Sequence, residues 1–170
     1  MPAFALERVV FTIVLVLAFA LVAPAVAATT NPPLPEHLTR DASEPAPAPT
    51  PGERVARVAV KAVGVPYRWG GESPETGFDC SGLVRWAYGR IGVDLPHNSY
   101  ALYSVGRSVP RARMEPGDVL FFEGLGHVGL YLGRGRMVHA PQTGREVEIV
   151  RLGATNYGSR LIGARRMAGV

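Results

Sequence analysis

The hydrophobic period of this chain changes near Asp118, and that change narrows the folds open to it. Before that point, apolar residues recur at helical spacing, with Val55, Val58, Ala59, Ala62 and Val63 in one segment. Leu83, Val84, Ala87, Tyr88 and Ile91 repeat the spacing in a second. Gly64 and Pro66 are expected to end the first helix, and Gly92 the second. His97 to Gly106 fits either a third helix or a loop. Beyond Asp118 the pattern is that of strands. Val119 to Phe122 is a continuous apolar run, which suggests a buried strand, and Glu146 to Leu152 alternates. His127 to Leu132 and Met137 to Ala140 are expected to form a hairpin around Gly133-Arg134-Gly135, with Leu161 to Met167 as the last strand. Helices first and strands second is an α+β order, with N-terminal helices packed on an antiparallel sheet.

Ahead of these elements the periodicity is absent. Residues 1–27 read as a secretory signal peptide, with Arg8 as the basic start, Val9 to Val22 as the apolar core and Ala25-Val26-Ala27 as a small-x-small cleavage site. The alternative is an uncleaved membrane anchor, although the run is interrupted by Pro24 and is barely long enough to span a bilayer. No cysteine follows the apolar run, which excludes a lipoprotein anchor on this chain. Residues 28–52 are rich in Pro and Ala and are expected to form a disordered, extended linker. The folded domain is expected over residues 53–170. The formal net charge is +4, and Lys61 is the only lysine among 18 basic residues. A basic surface suits an anionic partner such as a cell-wall polymer or lipid headgroups. The arginines are scattered and not interleaved with aromatic residues, which argues against nucleic acid.

Export places the domain in an oxidising space, yet Cys80 is the only cysteine and has no internal disulfide partner. An unpaired thiol kept there calls for a reason, and catalysis is one. Cys80 lies in Phe78-Asp79-Cys80-Ser81-Gly82-Leu83-Val84, at the start of the second helix. Asp79 is suited to cap that helix, which makes Cys80 its first residue. A thiol at a helix N-terminus meets unpaired N–H groups and the positive end of the dipole, both of which favour the thiolate. The negative charge of Asp79 opposes this unless the cap directs it away from the sulfur. The alternative is a small buried hydrophobe, since free cysteines are often interior.

A nucleophilic thiol needs a base beside it and a third group to orient the base. His127 and His139 stand on the two arms of the expected hairpin. They share a face only if opposed residue numbers have an even sum. A two-residue Arg134-Gly135 turn gives 269 and separates them. A three-residue Gly133-Arg134-Gly135 loop gives 268, sets His139 opposite Gly129 and places the histidines diagonally on one face. The three-residue loop is therefore expected. Surface or satisfied core histidines are the alternative. A zinc site has little support, because neither H-E-x-x-H nor C-x-x-C spacing occurs. No metal and no cofactor are expected.

The same residues carry a resemblance to the NlpC/P60 family of bacterial cell-wall cysteine peptidases, which have a compact papain-like α+β fold. The matching motifs are Pro66-Tyr67-Arg68-Trp69-Gly70-Gly71, Phe78 to Val84, Pro116-Gly117-Asp118-Val119-Leu120-Phe121-Phe122, and His127 to Gly133 followed by His139-Ala140. The resemblance implies Cys80 as nucleophile, His127 as base and His139 as the orienting residue. It also implies that Tyr67 lies beside the sulfur and that Asp79 and Ser81 line the cleft. Backbone N–H of Cys80 and the Tyr67 hydroxyl are the expected oxyanion donors. The chain departs from the family after Leu95-Pro96, where His97-Asn98-Ser99-Tyr100 replaces the frequent Arg-Thr/Ser and a following Gln. His97 is read as a residue of the cleft rim.

The substrate the resemblance implies is the peptidoglycan stem peptide, cut between γ-D-glutamate and a diamino acid such as meso-diaminopimelate. An N-acetylmuramoyl-L-alanine amidase using the same chemistry, a non-catalytic wall-binding module and an acyltransferase are the competing readings. The expected location is the periplasm or the cell exterior, with membrane contact only if the signal stays uncleaved. Nothing in the chain fixes the oligomeric state, and a monomer is the expectation.

Overall fold

A computed structural model of the chain describes residues 47–169. The expected signal peptide and most of the expected linker lie outside the described residues. No helix among the described residues is long and apolar enough to cross a membrane.

The apolar run Val119–Phe122 forms β4 and lies near the middle of a six-stranded antiparallel sheet. Successive side chains of a strand point to opposite faces. Val119 and Phe121 join one core with the helices, while Leu120 and Phe122 join a second on the other face. All four are fully buried, which is why the run shows no polar alternation. Each such side chain contributes roughly 1.5–3 kcal/mol on leaving water.

The helical layer comes first in the chain. α1 spans Pro51–Val60, with Thr50 and Glu53 in a reciprocal capping box. It starts inside the stretch read as linker and stops short of the expected end at Gly64. Lys61 is its C-cap, and the chain turns through residues 61–64 instead of continuing helical. β1 (Glu72–Ser73) and β2 (Gly77–Phe78) form a small hairpin, followed by α2 (Cys80–Gly89). α3 (Ser99–Ser104) settles the open choice at residues 97–106, with Asn98 accepting from the N–H groups of Tyr100 and Ala101.

The sheet has the order β3-β8-β4-β5-β6-β7. β3 is Arg107–Val109, β5 Val128–Gly133, β6 Arg136–His139, β7 Glu148–Arg151 and β8 Leu161–Arg166. A short helix, α4 (Tyr157–Arg160), precedes β8. α1 and α2 pack on β5 through Val55, Ala59, Leu83, Val84 and Ala87. The architecture is α+β, with α1, α2 and α3 on one face of an antiparallel sheet and Tyr157 of α4 in the second core on the other.

The β5–β6 hairpin differs from its expected form. Gly133 pairs with Arg136, so the turn has two residues, Arg134 and Gly135, both with positive φ (53° and 68°). A bulge between Tyr131 and Gly133 then shifts the register, and Tyr131 pairs with Met137 and Leu130 with Val138. The expected pairing sum of 268 is restored by the bulge, not by the loop length.

Candidate active site

α2 begins where Asp79 leaves the extended backbone (φ −91°, ψ 176°) and its Oδ1 accepts from the Gly82 N–H at 2.7 Å. Cys80 is thereby the first helical residue. The same carboxylate holds three further groups. Oδ1 also accepts from the Ser81 hydroxyl at 3.1 Å and lies 2.9 Å from His97 Nε2, while Oδ2 accepts from the Gly70 N–H at 2.9 Å. Asp79 thus ties the Trp69–Gly70 loop and the lead into α3 to the start of α2. Gly82 is required there, since a β-carbon would collide with the Gly71 carbonyl and crowd His97 Nε2.

Tyr67 is fixed by its backbone. Its N–H donates to the Arg145 carbonyl at 2.8 Å, and the next N–H, of Arg68, donates to the Phe78 carbonyl at 2.9 Å. A cleft of about 480 Å³ opens between these segments, bordered by Tyr67, Trp69, Asp79, Cys80, Ser81, His97, Tyr100 and His127. Tyr67, expected beside the sulfur, and Asp79 and Ser81, expected to line the cleft, all border it, as does His97.

His127 precedes β5 and His139 ends β6. The register brings them together as the pairing sum requires, and a β-carbon on Gly129 would come within 3.3 Å of His139 Cβ. His127 Nε2 and His139 Nδ1 are 2.8 Å apart, with the rings near perpendicular (78°). Tyr157 of α4 stacks on His127 at 5.5 Å between centroids and meets His139 edge-on at 4.8 Å. His139 is fully buried, and its Nε2 has no hydrogen-bond partner among the described residues. Glu148 stands opposite His139 in the β6–β7 ladder, with Oε1 3.5 Å from that nitrogen.

Burial governs the electrostatics. It pushes the Cys80 thiol above its ordinary range; N–H groups of Val128, Ser81 and Cys80 itself offset this only in part, and the Asp79 charge adds to it. Desolvation at the sulfur is thus larger than the favour of the helix N-terminus, and the cap leaves the Asp79 charge acting on it. Burial, then His139, then Arg160 hold the His127 imidazole down to about 3. Burial and then Arg145 hold His139 down to about 4. Burial thus disfavours the charged form of both the Cys80 thiol and the His127 imidazole. Tyr67 is raised by burial first, then by Cys80 and Asp79, which puts its hydroxyl in the field of the sulfur.

Sequence reasoning missed Tyr157 and Glu148. Tyr157 lies on a four-residue helix with no periodic signal. Glu148 sits on a strand that was expected, but its register against β6 depends on the intervening loop, which periodicity does not define. The pairing of His97 with Asp79 joins residues 18 positions apart and has no local signature.

Residues 64–166 match the model of the NlpC/P60 family. The chain is 40% identical over 113 residues to the murein DD-endopeptidase MepH of Escherichia coli K12, covering 62% of this chain and 42% of that protein. It is 38% identical over 133 residues to the gamma-DL-glutamyl hydrolase of Bacillus subtilis, covering 75% of this chain and 31% of that one. The chain spans less than half the length of both relatives. The crystal structure of an NlpC/P60 family protein from Bacillus cereus aligns with a TM-score of 0.63 at 34% identity, over 72% of this chain and 41% of the other.

Proposed function

The chain belongs to the NlpC/P60 family, and from that premise we propose that it is an exported cysteine endopeptidase hydrolysing the stem peptides of peptidoglycan. One observation carries the assignment of roles. Nε2 of His127 is engaged by His139 at 2.8 Å, which leaves Nδ1 as the free nitrogen of a histidine bordering the same cleft as Cys80.

In this reading His127 Nδ1 takes the Cys80 proton as the sulfur attacks the peptide carbonyl. Proton transfer and attack go together, because burial disfavours either charge alone. The carbonyl oxygen becomes an oxyanion held by the Cys80 N–H and the Tyr67 hydroxyl, each donor supplying about 3 kcal/mol. The imidazolium then gives its proton to the leaving amine, and the C–N bond breaks. Water, deprotonated by the same nitrogen, attacks the thioester; the acid leaves and the thiol regains its proton. His139 orients His127, with Asp79 and Ser81 shaping the cleft wall.

The bond proposed is that between γ-D-glutamate and the diamino acid, and the name of the Bacillus subtilis relative supports the γ-glutamyl side of it. A DD-endopeptidase activity is the second reading, favoured by the name of the Escherichia coli relative. Residues 1–27 would direct the chain to the cell envelope, where this substrate lies. Purified muropeptides incubated with wild type and with Cys80→Ala test the proposal. Mass spectrometry is expected to find a stem cut after D-glutamate with wild type and no product with Cys80→Ala. Release of the whole stem from the sugar would make the chain an amidase, and undiminished activity in Cys80→Ala would end the cysteine-peptidase reading.

A further inference from the structure

We propose that Glu148 is a positioning residue for His127, acting through His139 to select the ring tautomer in which His127 can accept the Cys80 proton. This rests on the roles proposed above for Cys80 and His127. A carboxylate can only accept hydrogen bonds. Its Oε1 stands 3.5 Å from His139 Nε2, a buried nitrogen with no hydrogen-bond partner among the described residues, and the two residues are directly opposed across β6 and β7. The gap is roughly 0.5 Å beyond a good N–H···O bond, a distance a partly exposed side chain can close (32%). Arg145 holds the other oxygen at 2.6 Å, which directs the carboxylate along the ladder.

The consequence runs from ring to ring. A proton on His139 Nε2, facing Glu148, leaves His139 Nδ1 with a lone pair. That lone pair must receive the N–H of His127 Nε2 across 2.8 Å. His127 Nδ1 is then bare and can take a proton. Without the carboxylate, the reverse arrangement is equally open: His139 Nδ1 donates to His127 Nε2, and His127 Nδ1 carries a proton and cannot act as base. The charged or titratable groups facing the two rings are Glu148 and Arg145 from β7 and its approach, Arg160 and Tyr157 from α4, and Cys80 from α2. Glu148 is the carboxylate among them that faces His139 Nε2.

The test uses the full chain with nitrogen-15-labelled histidine. In wild type, His127 is expected to show an unprotonated Nδ1 and a protonated Nε2 near neutral pH. Glu148→Ala is expected to give a mixture of tautomers and to lower kcat on the order of tenfold with KM unchanged. Glu148→Gln, which keeps the shape and one acceptor, should fall between. Adding Glu148→Ala to His139→Ala should cost nothing further, since the effect passes through His139. An unchanged His127 tautomer in both Glu148 variants, or an equal loss in the His139→Ala background, overturns the proposal. The tautomer reading does not depend on turnover, so its failure is separate from that of the peptidase assignment.

Discussion

Two buried polar clusters lie on the same sheet and are built to opposite rules. At one end of β4, the fully buried Asp118 receives a two-pronged bond from Arg166, at 2.7 Å and 2.9 Å, and the Glu115 N–H at 2.8 Å. Arg166 also donates to the Arg113 carbonyl at 3.1 Å. Both carboxylate oxygens are engaged, and the cluster fastens β8 to the start of β4. At the other end of that strand, beside the Phe122 ring, His127 and His139 share one bond, burial disfavours their charged forms, and a nitrogen of His139 has no hydrogen-bond partner among the described residues. A satisfied buried pair serves the fold, while an under-satisfied one persists where another task needs it.

Substitution should separate the two. His127→Ala is expected to lower muropeptide cleavage by ~10⁴-fold while the melting temperature stays near wild type; equal losses in activity and stability would merge the clusters. Asp118→Ala should do the reverse. It strands Arg166 and is expected to cost about 3–5 kcal/mol in chemical denaturation, with turnover per folded molecule kept. His139→Ala should fall between, near ~10²-fold in kcat, because a neutral imidazole supports an imidazolium less than a carboxylate does. A loss matching that of His127→Ala would overturn the division of roles between them.

A smaller effect separates the clusters by pH. Unfolded histidines bind protons below about 6.5, whereas the half-buried His127 and the buried His139 stay neutral down to about 3 and 4. Across that window the unfolded chain binds more protons, so stability falls as pH drops, by roughly 2 kcal/mol per histidine at pH 5. Denaturation curves at pH 7 and pH 5 check this, and His139→Asn should remove its share of the slope. Equal stability at the two pH values would mean that the rings are already solvated.

The elements of this fold differ in how openly the sequence announces them. Leu83, Val84, Ala87 and Tyr88 mark α2 by spacing alone, and Asp79 marks its start, because a helix and its cap are settled within a few residues of chain. β4 announces itself as four apolar residues in a row, since it is buried on both faces. β3 and the β1–β2 hairpin left no such trace, being two or three residues long, and β3 is held by a partner far along the chain. At the site, Cys80, His127 and His139 were legible from residue type and parity, even though the hairpin reached the expected register through a bulge.

The sequence by itself determined the α+β order, the position of Cys80 at a capped helix start and the pairing of two histidines on one face. Each follows from periodicity or short-range geometry that a reader can count. Only the tertiary structure decided that burial outweighs the helix dipole at the sulfur, that Tyr157 encloses the imidazoles and that Glu148 stands behind His139. Those outcomes depend on which segments exclude water and on how distant strands align, and neither is encoded in any single stretch of chain.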